Sequence, residues 1–513
     1  MPEKIFKKLN LYILPQWKAC FFAALIAGFI AHFYKITNWL PNWDSLVFRY
    51  DAQKMLSLGR WFLPVVCSVS SFYDLPFLNG LIAIIFHGLG GVFICKLLNI
   101  KKNTTAILTG FLVVTFPTVT SVMMYNYVAD GYSIAFFLSV LSAYFLTAKK
   151  PRYILGAVLL TLAIGIYQAY MTVTVMLILL KLIDDSLFQG EPAGRILKKT
   201  LLIFCSGLGG VALYGVILKI LLACFSSSLL EYQGLSSVGS VSNIDIMSSL
   251  YLIKHTFLDC FFDFSNGFNV YAFMNIFIFV FTLFHYVKYI IANRLSKKPK
   301  ELAVIFIMAL LLVFGAGALA FVNPYVDYHN LMLMGYSVFY LFFLILYERG
   351  KEKNKKHEII KCWAILLSAV ILVSNFTVIA NVSYHKAQLA YEKSYGALVR
   401  IADRIENTPG TEGCDRLLVL GALENSESYS VNLTPDITGI TDGYILRADD
   451  ETVGQSVLCS ALNDYCDKNY DFLYGEEKKA LASTDLVRTM PEWPLDGCIA
   501  AYENVIIIKL GDE

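Results

Sequence analysis

The segment that follows the first apolar run contains residue types that could carry out acid–base chemistry and bind an anion. Residues 38–62 read NWLPNWDSLVFRYDAQKMLSLGRWF. A carboxylate here could act as a general base toward a hydroxyl group, and a guanidinium could hold a phosphate through two hydrogen bonds. Charged groups at the end of a membrane span are costly to desolvate, so they indicate a functional site. The candidate residues are Trp43, Asp44, Arg49, Asp51, Arg60 and Trp61.

The spacing of these residues suggests how they would cooperate. Asp44 and Asp51 are seven residues apart, so they share a face if the loop is helical. Arg60 does not follow that spacing, and a turn at Gly59 would have to bring it near. Such a set could transfer a sugar from a lipid phosphate to a hydroxyl acceptor. The alternative is that the charges are solvated interface residues and the aromatic rings are membrane-belt anchors.

The composition places these residues in a membrane protein. The chain is 57% hydrophobic and 16% charged, whereas a soluble domain has roughly 25% charged residues. The basic N-terminus precedes an apolar run without a small-residue cleavage site, which favours a retained first span. A net charge of +2 without a basic stripe gives no indication of nucleic-acid binding, and no metal or nucleotide motif occurs.

The apolar runs predict an all-α polytopic module with about eleven spans. They are residues 17–37, 76–97, 105–123, 131–147, 153–167, 169–183, 200–224, 270–291, 302–322, 331–347 and 359–380. Basic clusters fall on one face if the N-terminus is cytoplasmic, which places the C-terminus outside. Residues 153–183 could be one long tilted helix or a hairpin that turns at residues 167–170.

The composition changes after residue 380, which predicts a second domain. We expect a membrane module over residues 1–385 and a small extracytoplasmic α/β domain over residues 386–513, because the latter is rich in charge and contains period-2 apolar runs. Its four cysteines could form two disulfides or remain free thiols; they are Cys414, Cys459, Cys466 and Cys498.

Further candidate residues lie in other segments. Asp130 lies within the aromatic-rich segment YNYVADGY and could instead be the N-cap of the fourth span. Tyr167 and Gln168 are polar residues at membrane depth, and they could simply close the hairpin. His329 lies in the outward segment NPYVDYHN, where it could be part of a polar turn.

The order of these motifs resembles the Gtr-type bacterial glucosyltransferases that modify O-antigen and related surface polysaccharides, which have the GT-C membrane fold. The resemblance covers roughly residues 20–380. It depends on an N-x-D element after the first span, a GRW motif, an F-P pair in the third span, an aromatic loop and a YQ pair; these are Asn42 and Asp44, Gly59–Trp61, Phe116 and Pro117, Asp130, and Tyr167 and Gln168.

The resemblance implies transfer of a glucosyl residue from a polyprenyl-phosphate donor to a cell-envelope glycan at the outer face of a bacterial plasma membrane, without a cofactor. Asp44 corresponds to the catalytic carboxylate. The family often has a paired acidic DD there, whereas Ser45 follows Asp44 here, so Asp51 could share the role. A companion donor-synthesising transferase and a small flippase would accompany the enzyme.

The remaining candidates would bind the donor and its phosphate: Arg60, Arg49, Trp43, Trp61, Asp130, Tyr167, Gln168 and His329. The family often has an arginine where His329 stands. Two other functions remain open. The first is a transporter or flippase of lipid-linked sugars, which would carry ionisable residues at mid-membrane and internal repeats. The second is a GT-C transferase that uses another sugar such as mannose.

Overall fold

The computed structural model shows a helical chain that is divided into two compact units. It describes residues 3, 13–47, 55–230, 245–263, 270–321, 324, 328–349, 355–423, 437 and 453–511, without the side chains of residues 43, 453 and 454. The first unit contains Met1–Thr37, Ala52–Asn381 and Asn432–Ile437. The second unit contains Asn38–Asp51, Val382–Val431 and Thr438–Glu513. Arg49 and Asp51 lie outside the described residues.

The helices are numbered here in chain order. They are α1 Pro15–Thr37, α2 Trp43–Val47, α3 Leu63–Cys67, α4 Pro76–Leu97, α5 Asn103–Thr115, α6 Pro117–Met124, α7 Asn126–Thr147, α8 Tyr153–Ile166, α9 Met171–Ile183, α10 Ala193–Cys224, α11 Ile246–Phe262, α12 Val270–Ala292, α13 Pro299–Ala316, α14 Ser337–Arg349, α15 Lys355–Asn407, α16 Val453–Cys466, α17 Gly475–Ala482 and α18 Asp485–Thr489.

Eight helical segments in the described part of the chain are long and apolar enough to cross a membrane. They are α1, α4, α7, α10, α12, α13, Asn330–Arg349 and α15. A ninth results if α5 and α6, which meet at a 40° bend, count as one span. The bend lies at the F-P pair because Pro117 has no amide hydrogen and Phe116 before it adopts a non-helical ψ of 136°. The protein is therefore a helical membrane protein, and the count of eleven spans remains a prediction.

The two other predicted spans are short helices separated by a break. Helix α8 has 14 residues and α9 has 13. Tyr167 between them is extended (φ −156°, ψ 120°), and Gln168–Tyr170 form one 3₁₀ turn. Residues 153–183 are thus not one continuous helix. Helix α7 begins at Asn126, so the alternative in which Asp130 is an N-cap was wrong.

The helices of the first unit are joined at one end by buried ion pairs. A π-helical turn, Asp184–Phe188, follows α9. Arg349 Nε donates to Asp184 Oδ1 at 2.9 Å, and Lys181 Nζ donates to Asp185 Oδ1 at 2.6 Å. Lys199 Nζ contacts both Asp185, at 3.2 Å, and Glu191, at 2.7 Å. These pairs connect α9, α10 and α14.

The second unit contains a four-stranded sheet. Its strands are β1 Arg416–Leu420, β2 Asp471–Phe472, β3 Ile499–Tyr502 and β4 Val505–Lys509, in the order β2-β1-β4-β3. Strand β1 is parallel to β2 and β4, whereas β3 and β4 are antiparallel with Ile499 opposite Ile508. The period-2 runs in the sequence correspond to β1 and β4.

Alternating strand residues fill a core on each face of this sheet, as the pleat requires. On one face Leu417 and Val419 pack against α15 and α16. On the other face Leu418 and Leu420 pack with Leu473 and the residues of α17 and α18. The first core also contains Leu46 of α2, which is only 2% exposed.

Candidate active site

In the first unit, Arg60 lies against two stacked tyrosine rings. Its Cζ atom is 4.8 Å from the ring centroid of Tyr167, and its Nη1 donates a hydrogen bond to the Tyr132 hydroxyl at 3.1 Å. The Tyr132 and Tyr167 rings are stacked, with centroids 4.6 Å apart and an interplanar angle of 12°. The rings therefore help to fix the plane of a half-buried guanidinium, a group whose planar geometry matches that of a phosphate.

A tight turn over residues 55–59 sets the position of Arg60. The Arg60 amide donates to the Met55 carbonyl at 2.8 Å, and Gly59 has a φ of +75°. The Tyr214 hydroxyl of α10 donates to the Gly59 carbonyl at 3.0 Å, and Gln168 Nε2 donates to the Leu58 carbonyl at 3.0 Å. The break between α8 and α9 thus supplies both an aromatic face and a side-chain amide to this turn.

Trp61 packs on the end of α8. The Phe62 amide donates to the Gly165 carbonyl at 2.8 Å. A Cβ atom at Gly165 would lie 2.8 Å from Trp61 Cε2, so the indole occupies the space that a side chain would take. The structure therefore brings together four of the candidates, namely Arg60, Trp61, Tyr167 and Gln168.

Asp130 is fully buried and its hydrogen bonds are internal. Its carboxylate accepts from Ser70 Oγ at 2.6 Å and from the Gly131 amide at 2.8 Å, and the Cys67 thiol is 3.6 Å away. Burial and the neighbouring carboxylate raise the pKa of the Cys67 thiol. These contacts hold the segment after α3 against α7, and the role of Asp130 in binding a donor remains a prediction.

Asp44 belongs to the second unit. It lies half-buried on α2, two residues after Asn42, whose side-chain Oδ1 accepts a hydrogen bond from the Ser45 amide at 2.8 Å. Asn42 is therefore the N-cap of this short helix. Of the other loop candidates, Trp43 lies on α2 but its side chain is outside the described atoms, and Arg49 and Asp51 are outside the described residues.

His329 begins the segment that packs against the Gln168–Tyr170 turn. It precedes the 3₁₀ helix Asn330–Tyr336, and its carbonyl accepts from the Met332 amide at 2.9 Å. A Cβ atom at Gly335 would lie 2.8 Å from Thr172 Oγ1, so the two segments approach closely. His329 is half-buried, and its proposed contact with a phosphate remains a prediction.

A buried polar cluster, not predicted from the sequence, lies at the ends of α1, α4 and α7. Asn126 Nδ2 donates to Asp74, and Asn79 Nδ2 donates to the Asn126 carbonyl at 3.0 Å. Lys35, in the last turn of α1, interacts electrostatically with Asp74 and is 1% exposed. A lysine inside an apolar run was the signal that could have revealed this cluster. Tyr132 and Tyr214, which hold Arg60 and its turn, were also missed.

The part of the chain that the structure describes shows no metal centre. No group of three or more His, Cys, Asp or Glu residues there could hold a metal ion.

Comparisons with known proteins identify the family. The family model for glucosyl transferase GtrII matches residues 33–345, which is more than half of the chain. The match includes Asp44, Arg60, Tyr167 and Gln168. Comparisons with curated proteins and with solved structures found no match. The resemblance that the sequence motifs indicated is confirmed: the chain belongs to the GtrII glucosyl transferase family and is a membrane glycosyltransferase.

Proposed function

We propose that this protein transfers glucose from a polyprenyl-phosphate donor to a cell-envelope glycan at the outer face of a bacterial plasma membrane. The observation that carries the proposal is the half-buried Arg60 guanidinium, which lies against the Tyr167 ring and donates to the Tyr132 hydroxyl inside the region that the family model matches. Since these contacts fix its orientation and a guanidinium is always protonated, the group is suited to a bidentate contact with a phosphate.

The proposed reaction is a single displacement at the anomeric carbon of the donor. The Asp44 carboxylate takes the proton of the acceptor hydroxyl, and the hydroxyl oxygen forms a bond to C1 of the sugar. The bond between C1 and the phosphate oxygen breaks, and its electron pair leaves with polyprenyl phosphate. The configuration at C1 is inverted. Asp51 could share the role of Asp44.

Arg60 would stabilise the leaving group. The donor phosphodiester has one negative charge, and the product monoester gains a second as the C1–O bond breaks. A guanidinium that is already oriented stabilises this added charge without reorganising. Arg49, Trp43, Trp61, Asp130, Tyr167, Gln168 and His329 complete the proposed donor-binding set.

The proposal includes a topology. The basic clusters place the N-terminus in the cytoplasm, so that eleven spans leave the C-terminal domain, residues 386–513, outside. The donor would reach the outer face by means of a companion donor-synthesising transferase and a small flippase. The acceptor would be a surface glycan, and the bilayer would hold the lipid part of the donor.

The test is transfer by the full-length protein in nanodiscs. Labelled undecaprenyl-phosphate-glucose is supplied with envelope glycan from the source organism, and label in the glycan is measured. Wild type is compared with Asp44→Asn, Asp51→Asn, Arg60→Lys and Arg60→Met. Asp485→Asn, at an exposed position of α18, is the matched control for removal of a carboxylate.

We expect transfer by wild type and by Asp485→Asn and loss of transfer in Asp44→Asn. In both Arg60 variants we expect a lower kcat as well as a higher KM for the donor, because Arg60 binds the phosphate and stabilises its added charge. Asp51→Asn would be impaired only if the two carboxylates share the role. Equal rates in wild type and the Asp44→Asn/Asp51→Asn double variant would exclude the proposed base. A parallel reaction supplies undecaprenyl-phosphate-mannose, and transfer from this donor alone would exclude glucose as the sugar. Movement of the lipid-linked sugar across the bilayer without transfer would favour a flippase.

A further inference from the structure

The second unit contains a segment from near the start of the chain. Asn38–Asp51 form one compact unit with residues that follow position 381. Leu46 of α2 is 2% exposed and belongs to the same core as Leu398 of α15 and Val457 and Leu462 of α16. Val47 packs against this core as well. The apolar side of α2 is therefore anchored in the second unit.

A hydrogen bond fixes the chain just before α2. The Trp39 indole N–H donates to the hydroxyl of Tyr465 on α16, which is 426 positions later in the sequence. The Tyr465 ring packs in turn against Tyr391 and Tyr395 of α15, with centroids 6.2 Å and 5.8 Å away. Trp39 thus holds one side of the loop while Leu46 holds the other.

Helix α2 cannot orient Asp44 by itself. It has five residues, and an isolated helix of this length is unstable in water. The buried Asn42 caps it through the Ser45 amide, and Ser45 is itself 0% exposed. The position of Asp44 on α2 therefore depends on how Trp39, Asn42 and Leu46 are held.

We propose that the second unit positions the Asp44 carboxylate for catalysis, with Trp39, Asn42 and Leu46 as positioning residues. The inference rests on the proposed function, in which Asp44 is the base. It gives the C-terminal domain a role in the chemical step itself, separate from any part in holding the acceptor. Much of the rate of an enzyme comes from holding the catalytic group close to the reacting atoms, so a shift of the carboxylate by about 1 Å can lower the rate roughly a hundredfold.

A pair of leucine truncations tests this inference. Leu46→Ala and Leu473→Ala each remove three carbon atoms from a leucine that is nearly fully buried in the second unit, but Leu473 lies in the core on the other face of the sheet. Both full-length variants are assayed in nanodiscs at a temperature where circular dichroism shows them folded. We expect kcat to fall at least about tenfold in Leu46→Ala and by no more than about twofold in Leu473→Ala. The KM for the undecaprenyl-phosphate-glucose donor should not change in either.

If Leu46→Ala does not fold, Tyr465→Phe and Leu46→Met, which disturb the structure less, test whether the second unit positions Asp44. Tyr465→Phe removes only the oxygen that accepts from Trp39, and Tyr470→Phe is the control in the same unit. Leu46→Met keeps the volume and should retain the wild-type kcat. A lower kcat in Tyr465→Phe, with wild-type rates in Tyr470→Phe and Leu46→Met, would support positioning.

The failure of this inference can be distinguished from the failure of the proposed function. If Asp44→Asn abolishes transfer but Leu46→Ala and Leu473→Ala are equally active, the carboxylate is the base and the second unit does not position it. If Tyr465→Phe matches Tyr470→Phe, the inference is overturned in the same way. If Asp44→Asn transfers at the wild-type rate, both the base and its positioning are excluded.

Discussion

At the scale of single residues, Gly59 determines how Arg60 is presented. Its φ of +75° is unfavourable for residues with a side chain. A Cβ atom there would lie 2.6 Å from the Tyr214 hydroxyl and 2.9 Å from Gln168 Nε2. Glycine is therefore favoured at this position of the turn, and we expect Arg60 to depend on it.

The first prediction is that Gly59→Ala lowers transfer at least about tenfold and destabilises the protein by about 1–2 kcal/mol, because alanine in a left-handed conformation is strained. Rates and thermal unfolding are measured in nanodiscs. Gly207→Ala is the control, since a Cβ atom there meets nothing within 4 Å. Equal rates for the two variants would show that the Gly59 turn does not position Arg60.

The second prediction concerns the hydrogen bond that holds this turn. Tyr214→Phe removes the donor to the Gly59 carbonyl and should raise the donor KM roughly threefold to tenfold, the range for one net hydrogen bond. Tyr286→Phe removes a comparable bond, to the Ile305 carbonyl at 3.2 Å, far along the chain from the Arg60 turn. The KM should rise only in Tyr214→Phe, and a similar rise in both would contradict the account.

The sequence could indicate some of these residues but not their partners. Arg60, Tyr167 and Gln168 stand out because they are polar residues beside apolar runs. Tyr132 and Tyr214 lie within apolar runs, where a tyrosine has no distinguishing spacing. Tyr132 contacts Arg60, which is 72 positions away in the sequence, and Tyr214 contacts Gly59, which is 155 positions away. No local sequence pattern encodes contacts over such separations.

At the scale of elements, the ion pairs beyond α9 are expected to stabilise the helical unit. The Asp184 side chain is fully buried, and Arg349 contacts both of its oxygens, at 2.9 Å and 3.3 Å. The third prediction is that Arg349→Met lowers the free energy of unfolding by about 3–5 kcal/mol, because it leaves a buried carboxylate without its main partner.

Arg416→Met is the matched control for this change. Arg416 pairs with Glu477 in an equally bidentate contact, but on the exposed surface of the second unit. Solvent screens such pairs, so the free energy of unfolding should hardly change. Denaturant unfolding of both variants in detergent provides the comparison, and a similar loss in both would show that burial of the Asp184 pair is unimportant.

The fourth prediction concerns the thiols of the second unit, which are free in the structure. Burial, assisted by the Asp471 carboxylate, raises the pKa of Cys459 from 9.0 to about 11. The unfolded thiol therefore ionises first, so this group's stabilising contribution is complete below about pH 9 and is lost as the pH rises through about 11.

Alkylation followed by peptide mass spectrometry checks this prediction. At pH 8 the native Cys459 should react far more slowly than the half-buried Cys414, and the difference should disappear in denaturant. Fast alkylation of Cys459 in the native protein would contradict the raised pKa. Failure of all four thiols to react in denaturant without a reductant would show that disulfides form.

Spans were the most predictable elements. Apolar length located the eight helical segments that could cross a membrane. The bend lies at Pro117, which favours one, and the break between α8 and α9 lies at residues 167–170, where a hairpin turn was one of the two alternatives. Boundaries were less predictable: α7 begins at Asn126 rather than residue 131, because the polar residues at its start are buried by neighbouring helices. The five-residue α2 has no periodicity of its own.

At the scale of the whole molecule, the order of the chain does not reveal how the units are composed. The loop before Ala52 belongs to the same unit as residues after position 381, through contacts such as that between Trp39 and Tyr465. The predicted boundary at residue 385 remains a prediction. Composition indicates a charged C-terminal segment, but it contains no information on which distant loop completes its core.

In the proposed reaction, Asp44 is the base of a transfer from a lipid phosphate. The decisive measurement is the initial rate at which labelled glucose moves from undecaprenyl-phosphate-glucose to the envelope glycan, in wild type and in Asp44→Asn. We predict steady transfer by the wild type and at least about a hundredfold less by the variant, the contribution of a general base. Equal rates in the two proteins would contradict the account.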